Sequence, residues 1–328
     1  MLSSTRTPAQ KRQHLRTLLT PGAAQPFPGA FTPLSATLIE EKGFPGVYIS
    51  GAVIANELGL PDIGLTTLSE VATRGAQIAR STDLPCLIDA DTGFGEPMNV
   101  ARTVQELEDA GLAGCHIEDQ VNPKRCGHLD GKTMVDLPTA TQRIRAAADG
   151  RRDPGFLVMA RTDLRATDGL DAAIDRMKAL VDAGADAIFP EALKDLGEFE
   201  QVCAALDVPV LANMTEFGKS ALFTREQLAA AGVAMVIYPV TLLRAAMGAA
   251  ERVLETILEE GTQESRVPEM LTRARLYELV DYESYNRFDT SVFDVEVPGA
   301  RPSSPGAHAT PDTHTTTTDT AVDPRSET

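Results

Sequence analysis

From Pro21 onward, short apolar runs bounded by Gly, Pro or Asp alternate with longer segments of helical period. No other feature constrains the fold as tightly, because a strand covered on both faces reads as a continuous apolar run and a crossover helix between two such strands makes them parallel. The runs fall at 27–31, 47–50, 84–89, 114–118, 156–160, 187–190, 208–213 and 235–238. Helices are predicted at 34–42, 68–80, 100–110, 139–148, 170–183, 196–206, 225–231 and 242–259. Ala110-Gly111, Ala183-Gly184 and Ala231-Gly232 provide left-handed helix stops just before the next run. Eight βα units predict an α/β chain of the (β/α)8 TIM-barrel type rather than an open doubly wound sheet.

The polar residues argue for the same closure. Ser50, Asp89, Asp91, Glu118, Arg161, Asp163, Glu191, Asn213 and Thr215 stand at or just past the C-terminal ends of different runs. In a barrel those ends converge on one face, where such enzymes place their chemistry. The barrel is assigned to 27–265, after an N-terminal segment 1–26 whose Leu15, Leu18 and Leu19 read as a short amphipathic helix over 8–19. A helical extension at 266–297 carries Met270, Leu271, Leu276, Tyr277, Leu279, Val280 and Tyr285, and 298–328 has the composition of a disordered tail. Two smaller domains are the alternative that the length of 328 residues leaves open.

A formal net charge of −17 argues against nucleic-acid and anionic-membrane partners, which select a basic face. No run approaches the roughly 20 apolar residues of a membrane helix, and the N-terminus lacks an apolar signal core. The four cysteines, at 86, 115, 126 and 203, show no CxxC spacing, so neither a disulfide framework nor a structural zinc site is expected. A reducing, cytoplasmic setting fits.

Asp89 and Asp91 are two apart on an extended segment, so both carboxylates point to one side. With Glu118 on a nearby strand end and Asp62 on the loop after the second strand, they form an oxygen-donor set suited to Mg2+ or Mn2+, with waters completing the shell. The plainer reading is that the aspartates cap the following turn. Gly93-Phe94-Gly95 lacks the third glycine of a dinucleotide loop, and His116-Ile117-Glu118 with one later cysteine falls short of a zinc deaminase. His116 either faces the barrel mouth beside Glu118 or is a buried histidine bonded to a neighbour.

Cys126 differs from the other three cysteines, which sit within or beside apolar runs as small hydrophobes. It lies between Lys124-Arg125 and Gly127-His128, where neighbouring charge can tune a thiol and Gly127 and Gly131 can act as pivots. Arg161 and Arg244 can each grip a carboxylate in bidentate fashion, or serve as structural ion pairs. Ser50, Gly51, Asn213 and Thr215 offer neutral donors, and Glu191 can orient a proton or bond a hydroxyl.

Lys124-Arg125-Cys126-Gly127-His128 resembles the signature loop of the isocitrate lyase and phosphoenolpyruvate mutase superfamily, in the form typical of 2-methylisocitrate lyases. The likeness runs from about 29 to 285 through Tyr48-Ile49-Ser50-Gly51, Leu58-Gly59-Leu60-Pro61-Asp62, Asp89-Ala90-Asp91-Thr92-Gly93-Phe94-Gly95, His116-Ile117-Glu118-Asp119-Gln120, Met159-Ala160-Arg161-Thr162-Asp163, Phe189-Pro190-Glu191-Ala192 and Asn213-Met214-Thr215-Glu216-Phe217-Gly218. The large insertions of isocitrate lyases are missing. Ala52-Val53 and Leu129 depart from the family pattern.

The resemblance implies a metal-dependent carbon–carbon lyase that splits 2-methylisocitrate, a tricarboxylate, into pyruvate and succinate in the methylcitrate cycle of propionate catabolism. Asp89 and Asp91 would be metal ligands, with Asp62 and Glu118 acting through water. Cys126 would donate the proton that completes succinate, with Tyr48, Glu118 and His128 also catalytic; the base stays open among Tyr48 and relays through Glu118 and Glu191. Ser50, Gly51, Lys124, Arg125, Gly127, Arg161, Glu191, Asn213, Thr215, Arg244 and Arg273 would bind substrate. The C-terminal helices would be exchanged between subunits of a dimer or tetramer. Cleavage of isocitrate or dimethylmalate, hydrolysis of oxaloacetate, a mutase-type isomerisation and a non-catalytic metabolite-binding role are the alternatives.

Overall fold

The structure is a computed structural model, and the residues it describes are 4–125, 131–218 and 220–293. Eight strands follow in order: β1 (Gln25–Pro28), β2 (Val47–Ile49), β3 (Cys86–Asp89), β4 (Gly114–Glu118), β5 (Leu157–Thr162), β6 (Ala187–Pro190), β7 (Leu211–Asn213) and β8 (Met235–Tyr238). All pair in parallel, β2 to β6 as neighbours in sequence order and β1-β8-β7 as a second ladder. Single parallel bridges, Gly29 to Tyr48 and Ile188 to Val210, join the two ladders at both seams. The strands therefore close into a TIM-like α/β barrel, as their spacing predicts.

Thirteen α-helices are described: α1 (Pro8–Leu18), α2 (Pro33–Glu41), α3 (Gly51–Glu57), α4 (Leu68–Arg80), α5 (Pro97–Asp109), α6 (Leu137–Gly150), α7 (Arg165–Asp168), α8 (Leu170–Asp182), α9 (Leu196–Ala205), α10 (Arg225–Ala230), α11 (Thr241–Glu260), α12 (Arg273–Leu279) and α13 (Tyr282–Phe293). Two were not expected: α3 and α7, of seven and four residues, are too short to display a helical apolar period.

Period-two alternation sorts the strand residues into an inner and an outer core. Leu87, Leu157, Met159, Ala187, Phe189, Leu211 and Met235 fill the barrel together with Leu15 and Leu19 from the α1 end of the chain. Cys86, Ile88, Cys115, Ile117, Val158, Ala160 and Ile188 face outward to the helices. Continuing the same alternation to the strand ends turns Asp89, His116, Glu118 and Arg161 inward. Thus α1 seals one end, with buried Lys11 donating to the carbonyls of Ala79 and Thr82 at 2.7 and 2.6 Å, while the polar strand ends open at the other.

The chain forms two compact units, Met1–Tyr285 and Asn286–Thr328. Of the second, 286–293 are described, as the later part of α13, where Phe288, Val292 and Phe293 are exposed. The tail expected at 298–328 lies outside the described residues. Among the described residues no helix is long and apolar enough to cross a membrane.

Candidate active site

Asp89 ends β3 and is clasped by the elements around it. Its Oδ1 accepts from the Asp91 N–H at 3.0 Å and its Oδ2 from the Gly51 N–H, at the start of α3, at 3.2 Å. A side chain at position 51 would place its Cβ 2.9 Å from that oxygen, so only glycine allows the approach. Asp91 follows in the left-handed region at φ 46°, which swings its carboxylate out of the strand direction.

Glu118 and Arg161 are register partners at the ends of β4 and β5. Arg161 is the hub: its Nε lies 3.3 Å from Glu118 Oε2 and 3.0 Å from Asp163 Oδ2, its Nη2 3.2 Å from Glu191 Oε2, and its guanidinium stacks over Phe189 at 5.0 Å. Asp163 also receives Lys132 at 2.7 Å. Neither carboxylate oxygen of Glu118 accepts a hydrogen bond, although the residue is only 2% exposed. Lys124, equally buried, contacts Asp62 and lies 2.7 Å from Asp91 Oδ1.

Two residues before Glu118 on β4, His116 Nε2 is 2.8 Å from the Tyr48 hydroxyl, and the His116 ring meets Phe189 edge-on. Burial, followed by the Asp89 charge, pushes the Tyr48 hydroxyl well above the ordinary tyrosine range. Burial pushes His116 down to about 4. Both shifts favour the uncharged forms, and the Tyr48 hydroxyl and His116 Nε2 share one hydrogen bond whose direction follows the imidazole tautomer; Nδ1 lies 3.7 Å from Asp89 Oδ1. Of the two sequence readings of His116, the structure shows the buried histidine bonded to a neighbour; its ring faces the barrel interior and does not line the cavity.

The carboxylates differ in what surrounds them. Burial works to raise Asp89, but His116, Lys124 and Arg161 hold it at about 2. Burial pushes Asp91 up to about 6 against the pull of Lys124, with Asp89 adding to the rise. Glu118 is driven well above the carboxylate range by burial despite Arg161 and Lys124. A concentration of acidic groups this poorly solvated calls for positive charge.

A cavity of about 840 Å3 opens above these groups. Tyr48, Ser50, Asp62, Asp89, Lys124, Arg161, Glu191, Asn213, Thr215 and Arg244 line it, so most of the sequence candidates converge. Arg244 is also held, by Glu216 Oε2 at 2.8 Å and Thr215 Oγ1 at 3.1 Å, so it is at once a wall residue and an ion pair. Asp91 faces a second cavity of about 620 Å3 with Thr66, Thr92 and Asn122.

Other candidates stand apart. Arg125 turns its guanidinium to the carbonyls of Pro123 and Lys124, and Arg273 is exposed at the first turn of α12; neither lines the cavity. Cys126, Gly127 and His128 lie outside the described residues. Burial raises the Cys86 thiol to about 12 and Cys203 to about 11, which leaves both inert, as their apolar neighbours predict. Sequence reasoning missed the Lys124 contact with Asp62 and Asp91, for which there is no local signal. It also left Asp163 without a role, although Arg161 and Asp163 are two apart on an extended segment and must share a side. Among the described residues no three His, Cys, Asp or Glu side chains enclose a metal-sized space; the Lys124 ammonium stands among the carboxylates.

Residues 15–258 match the protein family described as phosphoenolpyruvate phosphomutase. Over 302 residues the chain is 56% identical to a protein named probable 2-methylisocitrate lyase 2 of Corynebacterium glutamicum, spanning 92% of this chain and 98% of that one. The chain belongs to the 2-methylisocitrate lyase family. The 2-methylisocitrate lyase of Escherichia coli K12 is 49% identical over 252 residues, 76% of this chain and 85% of its own. Among solved structures, oxaloacetate acetylhydrolase in complex with 3,3-difluorooxalacetate superposes with a TM-score of 0.83 at 32% identity, covering 89% of this chain and 100% of that one. A 2,3-dimethylmalate lyase of the PEP mutase/isocitrate lyase superfamily gives 0.80 at 32%, covering 89% and 99%. The resemblance seen at 124–128 thus extends along the whole barrel, and the chain is an enzyme of the carbon–carbon lyase kind.

Proposed function

We propose that the enzyme cleaves 2-methylisocitrate into pyruvate and succinate with the help of Mg2+ or Mn2+. The observation that carries this reading is the grouping of four acidic side chains around Lys124 and Arg161: Asp62 and Asp89 line the larger cavity, Asp91 is joined to Asp62 through the Lys124 ammonium, and buried Glu118 lies beside Arg161. The donor set is all oxygen, as these hard cations require, and the two unbonded oxygens of buried Glu118 are of the kind a metal-bound water would satisfy. Asp89 and Asp91 would hold the ion, with Asp62 and Glu118 acting through water. When bound, the cation supplies Lewis-acid polarisation of a hydroxyl and its adjacent carboxylate.

The chain's own residues divide the remaining work. Arg161 and Arg244, with Ser50, Asn213 and Thr215, match a substrate carrying three carboxylates. Tyr48, held protonated, suits hydrogen bonding to the reacting oxygen in the tautomer where His116 Nε2 donates to it, which leaves the Glu118 and Glu191 relays to accept the hydroxyl proton. As the carbon–carbon bond breaks, its electron pair stays on the fragment that becomes succinate, and the Cys126 thiol supplies the proton that completes it. Exposed apolar side chains on α11, among them Leu254 and Leu258, and Leu271 and Tyr277 beyond it support a dimer or tetramer with exchanged C-terminal helices.

Product identification tests the reading. Purified protein is incubated with Mg2+ and, separately, 2-methylisocitrate, isocitrate, dimethylmalate and oxaloacetate. Pyruvate and succinate from the first are expected. Glyoxylate released faster from isocitrate would overturn the substrate, and silence on all four would overturn the lyase reading.

A further inference from the structure

Lys124 does not reach into open solvent as an ordinary lysine does. Its side chain is 3% exposed, and its ammonium contacts Asp62 and lies 2.7 Å from Asp91 Oδ1. The backbone beside it is pinned: the Arg125 N–H donates to Gln120 Oε1 at 2.9 Å, Gln120 Nε2 returns a bond to the Arg125 carbonyl at 2.8 Å, and the Val121 N–H reaches the Thr133 carbonyl at 2.8 Å. The flexible four-carbon stem can therefore move its charge while the chain stays in place. Next to it, Glu118 is buried with both oxygens free of hydrogen bonds, so the basin has acidic capacity that one ammonium does not exhaust.

We propose that Lys124 is an internal counter-cation, holding the place between Asp62 and Asp91 until a divalent cation enters the carboxylate basin and displaces it. Metal binding is then an exchange of cations rather than an addition. The physical reason is that an ammonium and a divalent ion cannot both crowd the Asp91 carboxylate in a poorly solvated site without strong repulsion, whereas Asp62 and Asp91 with no cation at all would repel each other. The displaced ammonium remains on the wall of the larger cavity, which Lys124 also lines. There it is free to meet a substrate carboxylate, so metal entry primes the cavity for an anionic substrate.

This inference rests on the metal reading of the site, and the test separates the two. Mn2+ binding is followed by loss of the free-ion electron paramagnetic resonance signal, using the full chain as wild type, Lys124→Met, Lys124→Gln and Lys124→Arg. The two neutral variants are expected to bind Mn2+ at least about tenfold more tightly than wild type, and Lys124→Arg to stay near wild type. Without metal the neutral variants should melt below wild type, and saturating Mg2+ should raise their Tm by more than it raises that of wild type. Equal or weaker Mn2+ binding by either neutral variant, folded by circular dichroism, would overturn the exchange while leaving the metal reading intact. Absence of Mn2+ binding in wild type and variants alike would overturn both.

Discussion

The Tyr48 hydroxyl and His116 Nε2 share a hydrogen bond of 2.8 Å, and neither residue is more than 2% exposed. Strands β2 and β4 carry the two residues and are not neighbours; β3 lies between them. The bond therefore bridges β2 and β4 over the inner face of β3, the strand that ends in Asp89. Tyr48→Phe removes the buried hydroxyl and leaves an imidazole nitrogen without its partner, at an expected cost of about 1–3 kcal/mol in stability. Turnover should fall by about 10²-fold or more if Tyr48 serves the reacting oxygen. Steady-state kinetics and thermal melting on one preparation check both, and unchanged kcat would remove Tyr48 from the chemistry.

Chelation should silence the enzyme. Activity is expected to vanish in excess EDTA and return with Mg2+ or Mn2+, while Asp91→Ala should lower kcat/KM by at least about 10²-fold even at saturating metal. Full activity after exhaustive chelation would end the metal reading.

Arg161 contacts Glu118, Asp163 and Glu191 and stacks on Phe189, so lysine cannot replace it. Arg161→Lys retains one charge but loses the planar fork, leaving buried carboxylates partly unpaired. A destabilisation of about 3–5 kcal/mol and a loss of activity of about 10²-fold are expected. Denaturant unfolding beside kinetics is the check, and a variant as stable as wild type would show that the network tolerates a point charge.

For Cys126 the expectation rests on chemistry alone. Cys126→Ala should lower kcat by about 10²- to 10⁴-fold while leaving Mn2+ affinity unaltered. Retention of full cleavage activity would take the proton-donor role away from this thiol.

Acid should loosen the N-terminal arm. Asp83 accepts from Ser4 Oγ and the backbone N–H of Thr5 and Arg6 at 2.6, 2.6 and 2.8 Å. Burial works against ionisation, but these bonds prevail and hold the carboxyl well below its ordinary value of 3.8. A folded-state pKa depressed in this way contributes stability that is present above pH 3.8 and is lost as pH falls towards the folded value. Asp83→Asn should lower Tm at pH 7, by about 1–3 kcal/mol in stability, with the difference from wild type shrinking below pH 3.8. A gap that stays constant into that acid range would mean that the carboxylate charge contributes nothing.

Much of the barrel was legible because its periods are local. The alternation along β4 alone turns His116 and Glu118 inward and Cys115 and Ile117 outward, and the structure follows it. The short helix α3 was not legible, since seven residues beginning with glycine carry no apolar stripe; its place is set by the Gly51 N–H meeting Asp89 at the end of the neighbouring strand. Arg244 was legible as a cation near the site, but not as one held from α11 by Glu216 on the loop after β7.

What the chain determines by itself is the order and type of its elements and the end of the barrel that bears polar groups. Residue spacing encodes these directly, through periods of about two and 3.6 residues. Only the tertiary structure decides which charges meet. Lys124 reaches Asp62 from 62 positions along the chain, and Tyr48 reaches His116 from 68. Such pairings follow from how eight strands close on one another, and the burial that closure imposes separates Asp89, held at about 2, from Asp91, raised to about 6, two residues away.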